Sequence, residues 1–148
     1  MKILGCALIF VSSLLCSYFY EKNIKKKIDT LEELVDLISL IKNKIEYFSE
    51  PINKIFLEYN TKNTFIKNLL ESKETAVTYF DQEIQKQVSR FFSEIGNGYK
   101  KEQIALCDYN IQLLNNKLTK IKNEYPNKIK IFRSIALFVG ISIIILLV

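Results

Sequence analysis

Charge is absent from both ends of this chain and crowded into its middle. Ile3 to Tyr20 carries no charged residue, and neither does Ser134 to Val148. All sixteen acidic residues, and every basic residue except Lys2, lie between Glu21 and Arg133. Eighteen uncharged residues in a helix reach about 27 Å, close to the hydrocarbon thickness of a bilayer. Tyr18, Phe19 and Tyr20 close that run, where aromatic side chains favour the membrane interface. A cleaved signal peptide fits poorly, because its basic region would be Lys2 alone and no small-x-small site follows. Cys16 follows Leu14-Leu15, which does not suit a lipoprotein site. The C-terminal run of fifteen residues reaches only about 22 Å. Ile129, Ile131 and Phe132 extend its apolar face while Lys130 and Arg133 snorkel outwards.

Three parts are therefore expected: an N-terminal transmembrane helix (1–20), a helical domain (21–133) and a C-terminal transmembrane helix (134–148). Lys22, Lys25, Lys26 and Lys27 flank the first run; Lys120, Lys122, Lys128, Lys130 and Arg133 precede the second. Such flanks mark the cytoplasmic side, so the middle domain should face the cytoplasm and both termini away from it. The short second run invites a packing partner, and Gly140 permits close helix approach. An antiparallel pair within one chain, with Leu8 near Ile141, and assembly with another copy are both open.

Helical periodicity runs through the middle. Leu31, Leu34, Val35, Ile38, Ile41, Ile45 and Phe48 form one stripe, with Asp29 or Thr30 as a cap. Pro51 suits the first position of a second helix, with Ser49 or Glu50 before it. Asn60 to Thr64 reads as a turn before a short helix around Phe65, Leu69 and Leu70. A longer helix is expected from Thr75 to Ile95, ended by Gly96. The last carries Ile104, Cys107, Ile111, Leu114, Leu118, Ile121 and Tyr125 at heptad-like spacing, and Pro126 should kink or interrupt it. That seam can pack on the Leu31–Phe48 stripe or be offered to another protein. The expected fold is all-α: an antiparallel helical bundle between two transmembrane helices, with its first and last helices adjacent.

The chemistry argues against an enzyme. There is no histidine, hence no usual general base or metal ligand. Cys6, Cys16 and Cys107 make neither a disulfide framework nor a zinc site. No phosphate-binding loop is present, and Gly96-Asn97-Gly98 lacks a preceding strand. No catalytic, cofactor or metal residues are expected. The bases hug the membrane ends rather than forming a stripe, which argues against nucleic acid.

The order of segments, the Ile45-Glu46-Tyr47-Phe48-Ser49-Glu50-Pro51-Ile52 junction, Ile95-Gly96 followed by Gln103, and the finish from Ile131 through Gly140 resemble the stage III sporulation protein AB family over nearly the whole chain. Two positions depart: Tyr99 stands nearest where the family often has Asp, and Tyr79 takes the space of a frequent Trp. The resemblance implies a scaffold similar to the type II secretion F-protein platform, linking a cytoplasmic ATPase to an export channel in the mother-cell membrane around the forespore. Its partners would be that ATPase, other stage III channel subunits and the lipid bilayer, with a homo-oligomer also open and no nucleic acid. Glu46, Tyr47, Pro51 and Gln103 are the partner-binding candidates, Glu46 as the charge and Tyr47 as the anchor. Alternatively Tyr47 simply packs under the corner where Pro51 starts a helix. A platform subunit of another secretion or pilus system, or a stand-alone helical tether, are the competing roles.

Overall fold

The computed structural model describes residues 2–72 and 80–147, and every regular element among them is helical. They are α1 (Lys2–Asn43), a π-helical turn (Lys44–Phe48), α2 (Ile52–Glu58), α3 (Thr64–Ser72), α4 (Gln82–Glu94) and α5 (Lys100–Leu147). The chain divides into two compact units. Unit 1 joins residues 1–28 to 119–148, and unit 2 is Asp29–Leu118.

Neither uncharged run forms a helix of its own. The first is the opening part of α1 and the second the closing part of α5. Asp29 and Thr30, expected to cap a new helix, lie inside α1. Nothing between Glu21 and Ile28 breaks a helix already under way, and propagation is far easier than a new nucleus. Pro126 likewise fails to interrupt α5, which runs through it. Among the described residues no helix is long and apolar enough to cross a membrane. The runs at 3–20 and 134–148 reach into residues 3–10, 13, 144 and 146–148, whose side chains lie outside the described set.

Unit 1 is an antiparallel pair of helical segments. Arg133 Nη2 donates to Glu21 Oε2 at 2.6 Å, and Tyr20 stacks on Phe132 with centroids 4.4 Å apart. Ser17, Ile28, Ile129 and Gly140 are buried between the segments or beside them. Val11, Leu15, Phe19, Ile135, Phe138 and Ile145 are large, apolar and exposed.

Unit 2 holds a core of Leu31, Leu34, Leu37, Ile38 and Ile41 from α1, Ile55 from α2 and Phe65, Ile66 and Leu69 from α3. Ile84, Val88, Phe91 and Phe92 of α4 and Cys107 and Leu114 of α5 complete it. Phe92 lies 5.1 Å from Phe91 and 5.7 Å from Phe56 between ring centroids, so aromatic packing knits α2 to α4. Lys42 Nζ donates to Asp108 Oδ1 at 2.7 Å, placing α1 against α5. Asn110 is buried at the α4–α5 contact but satisfied: it accepts from Gln87 at 3.0 Å and donates to the Leu106 carbonyl at 2.8 Å.

Local sequence explains the joints. Asn63 starts α3, its side chain accepting from the Phe65 N–H at 3.1 Å and its carbonyl from Lys67 at 2.9 Å. Its amide also donates to Thr30 at 2.9 Å, while Thr61 donates to Glu33, so the turn is tied to α1. The helix expected from Thr75 begins, where described, at Gln82 after an extended Asp81; Phe80 sits in a bend. Thr75–Tyr79, and with them Tyr79, lie outside the described residues.

Candidate functional site

One cleft gathers the segments on which the family resemblance rests. It is about 540 Å³ in volume and is lined by Ile45 and Ser49–Asn53 on one side and Ile95–Asn97, Lys100 and Gln103 on the other. Its first wall arises because a residue before proline avoids the helical region. Approaching Pro51, α1 unwinds through the π-helical turn, and Ser49 then adopts a left-handed conformation with φ 52°. Its N–H closes on the Lys44 carbonyl. Pro51 is extended (φ −69°, ψ 138°) and accepts from the N–H groups of Lys54 and Ile55. It is therefore the cap of α2, one place before the first helical position expected of it.

The second wall is the α4–α5 turn. Gly96 and Gly98 have φ of +93° and +104°, a region that favours glycine. A Cβ on Gly96 would stand 3.4 Å from Ile52 Cγ1, an ordinary contact, so the backbone conformation rather than the space calls for glycine there. The Tyr99 N–H donates to Glu102 Oε2 at 3.0 Å, holding the start of α5. Gln103 Nε2 donates to the Gly98 carbonyl at 3.0 Å.

Lys100 bolts the two walls together. Its Nζ donates to the Glu46 carbonyl at 2.6 Å and to Ser49 Oγ at 3.3 Å. On the other flank Lys44 Nζ lies 3.1 Å from Glu50 and 3.8 Å from Glu58, and Lys54 lies 3.6 and 3.7 Å from the same carboxylates. The hydrogen bond from Lys44 holds the Glu50 carboxyl below its ordinary range, despite some opposition from burial. Lys44 also sits 5.6 Å from the centroid of the Phe48 ring.

Of the partner-binding candidates, Pro51 and Gln103 line the cleft, and Glu46 joins it through its backbone carbonyl. Tyr47 is 74% exposed, so it does not pack under the corner. Phe48, expected inward, is 68% exposed, because a π-helical turn inserts an extra residue and swings the following side chains off the buried stripe. Gly140 lies elsewhere, in unit 1. The sequence places Ser49 only as a residue before the Pro51 helix and gives Lys100 no role; the signal for Lys100 is its place just after a Gly-x-Gly turn. Cys107 is buried, and burial pushes its thiol up to about 12. Among the described residues no group of three or more His, Cys, Asp or Glu gathers around a common point.

Fold and cleft define a class: an all-helical protein in which two helix junctions, remote in sequence, close on one polar groove and carry exposed aromatics. Within that class the chain belongs to the stage III sporulation protein AB family, which it matches over residues 2–75 and 63–148. The match takes in both walls of the cleft and ties the chain to sporulation. Comparison with curated proteins and with solved structures gives no match.

Proposed function

We propose that this chain is a non-catalytic membrane scaffold of the sporulation channel apparatus, linking a cytoplasmic ATPase to the channel between mother cell and forespore. The uncharged runs at 3–20 and 134–148 would cross the membrane around the forespore, with the middle of the chain in the cytoplasm. Support for the anchors comes from the sequence runs, their basic flanks and the exposed apolar side chains of unit 1. A catalytic role has little to work with, since histidine is absent and the Cys107 thiol is buried and held neutral.

The observation that carries the scaffold reading is the cleft. Its polar walls are bridged by Lys100 and flanked by the Lys44–Glu50–Lys54 pairs, while Tyr47, Phe48 and Tyr99 stand exposed at these junctions. Polar recognition beside exposed aromatic anchors is the composition of a protein-docking surface. Replacing Glu46 and Tyr47 together by Ala in the full chain should weaken ATPase binding at least about tenfold, the loss expected for a hot-spot residue. Circular dichroism should stay unchanged. Unchanged binding would remove the junction from the interface, and loss of helicity together with binding would assign these residues a structural role.

A further inference from the structure

Charge is sorted by unit. Unit 1 holds ten basic and two acidic residues, a balance of +8; unit 2 holds eleven and fourteen, a balance of −3. Both acids of unit 1 are engaged. Glu21 pairs with Arg133 at 2.6 Å, and Glu124 pairs with Lys128 at 2.6 Å. Lys22, Lys25 and Lys130 are exposed and make no ion pair with a described residue.

These lysines share a level. The Glu21–Arg133 pair and the Tyr20–Phe132 stack fix the register of the two segments at the edge of the uncharged runs. Lys22 and Lys25 lie within five residues of Tyr20, and Lys130 lies four before Ser134. At about 1.5 Å per residue, all three fall within roughly 8 Å of that edge. This is the depth of the headgroup layer and about one Debye length at physiological salt. Immediately beyond stand exposed apolar side chains, including Phe19, Ile135 and Phe138.

We propose that this lysine collar binds the phosphate groups of anionic phospholipids, so that the protein selects its lipid neighbours rather than merely tolerating them. The proposal rests on the membrane reading above. An acidic protein or a nucleic acid could approach the collar only through the headgroup layer, whereas an anionic lipid brings its phosphate to that level with its chains against the apolar face. Each lysine should then favour an anionic over a zwitterionic lipid by up to about fivefold.

The test uses the full chain reconstituted in vesicles of phosphatidylcholine and phosphatidylglycerol, with trace spin-labelled lipid of either kind. Electron spin resonance reads the fraction of each lipid that the protein immobilises. Labelled phosphatidylglycerol should be immobilised several-fold more than phosphatidylcholine. The combined variant Lys22→Gln, Lys25→Gln, Lys130→Gln should lose that excess, as should the unaltered chain at about 1 M salt, where the Debye length shrinks to about 3 Å. Equal immobilisation of the two lipids would overturn the collar while leaving the membrane anchors standing. An excess that survives both the variant and salt would place lipid selection elsewhere and overturn it too. A protein that immobilises neither lipid and stays outside the vesicles would overturn the membrane reading, and the collar with it.

Discussion

Ser49 is the one described residue other than glycine with positive φ, at 52°. A left-handed conformation costs a non-glycine residue about 1–2 kcal/mol. The cost is met by the surrounding joint, where the Ser49 N–H closes the π-helical turn and its Oγ accepts from Lys100. Ser49→Gly relieves the backbone and forfeits only a long, exposed hydrogen bond. The urea midpoint of the full chain should therefore rise, by a stability equivalent of up to about 1 kcal/mol. A fall in midpoint would show that the hydroxyl contact outweighs the backbone strain. Lys100 is the complementary residue, since its bond to the Glu46 carbonyl spans 54 positions. Neither partner carries a sequence signal for the other. Pro51 and Gln103 were legible as candidates through their motifs, and Ser49 as a residue before the Pro51 helix, but its conformation was not, because a serine forced left-handed looks like any other serine before the chain is folded.

At the scale of elements, apolar periodicity was a faithful guide wherever the helix stayed regular. Leu31, Leu34, Ile38, Ile41 and Ile45 are all buried, as are Cys107, Leu114 and Leu118 on α5. Gly96 ends α4 in the left-handed form expected of a glycine after a helix. The failures share a cause: local signals for starts and stops were overridden by helices already propagating. Thr30 resembles a cap but is 1% exposed and accepts a bond from Asn63 instead. Pro126 resembles a stop, yet α5 continues through it. Proline in a helix interior lacks the N–H that would close the preceding turn and costs about 3 kcal/mol. Pro126→Ala should therefore stabilise α5, with a rise in thermal midpoint followed by circular dichroism at the helical band. A midpoint that falls would mean that the proline's shape, rather than its missing donor, fits the surroundings.

For the whole molecule, ionisation sets an uneven pH range. Glu50 and Glu124 have folded pKa values lowered by hydrogen bonds from Lys44 and Lys128. Their contribution is present above the ordinary carboxylate value of 4.5 and is lost as pH falls through the lowered values. Both pairs are solvent-screened, so this acid limb is shallow. Lys42, raised by its hydrogen bond to Asp108, keeps its contribution below 10.5 and loses it only as pH rises through the raised value. Cys107 acts on the same side with more force. Burial raises its thiol from 9.0 to about 12, so the unfolded chain ionises first and stability falls between those values. Cys107→Ala should be less stable than the unaltered chain near neutral pH, yet lose less stability on going to alkaline pH. Parallel losses in urea titrations would clear Cys107 of that role. The pairing of α1 with α5 has a further consequence, one of time. Lys42 waits for Asp108, 66 residues later, and Glu21 waits for Arg133, 112 residues later. At a ribosomal pace of about 5–20 residues per second, these waits last roughly 3–13 s and roughly 6–22 s. Until then, only α2, α3 and α4 can cover the apolar stripe of α1, and the face kept for α5 stays open to whatever else binds apolar surface.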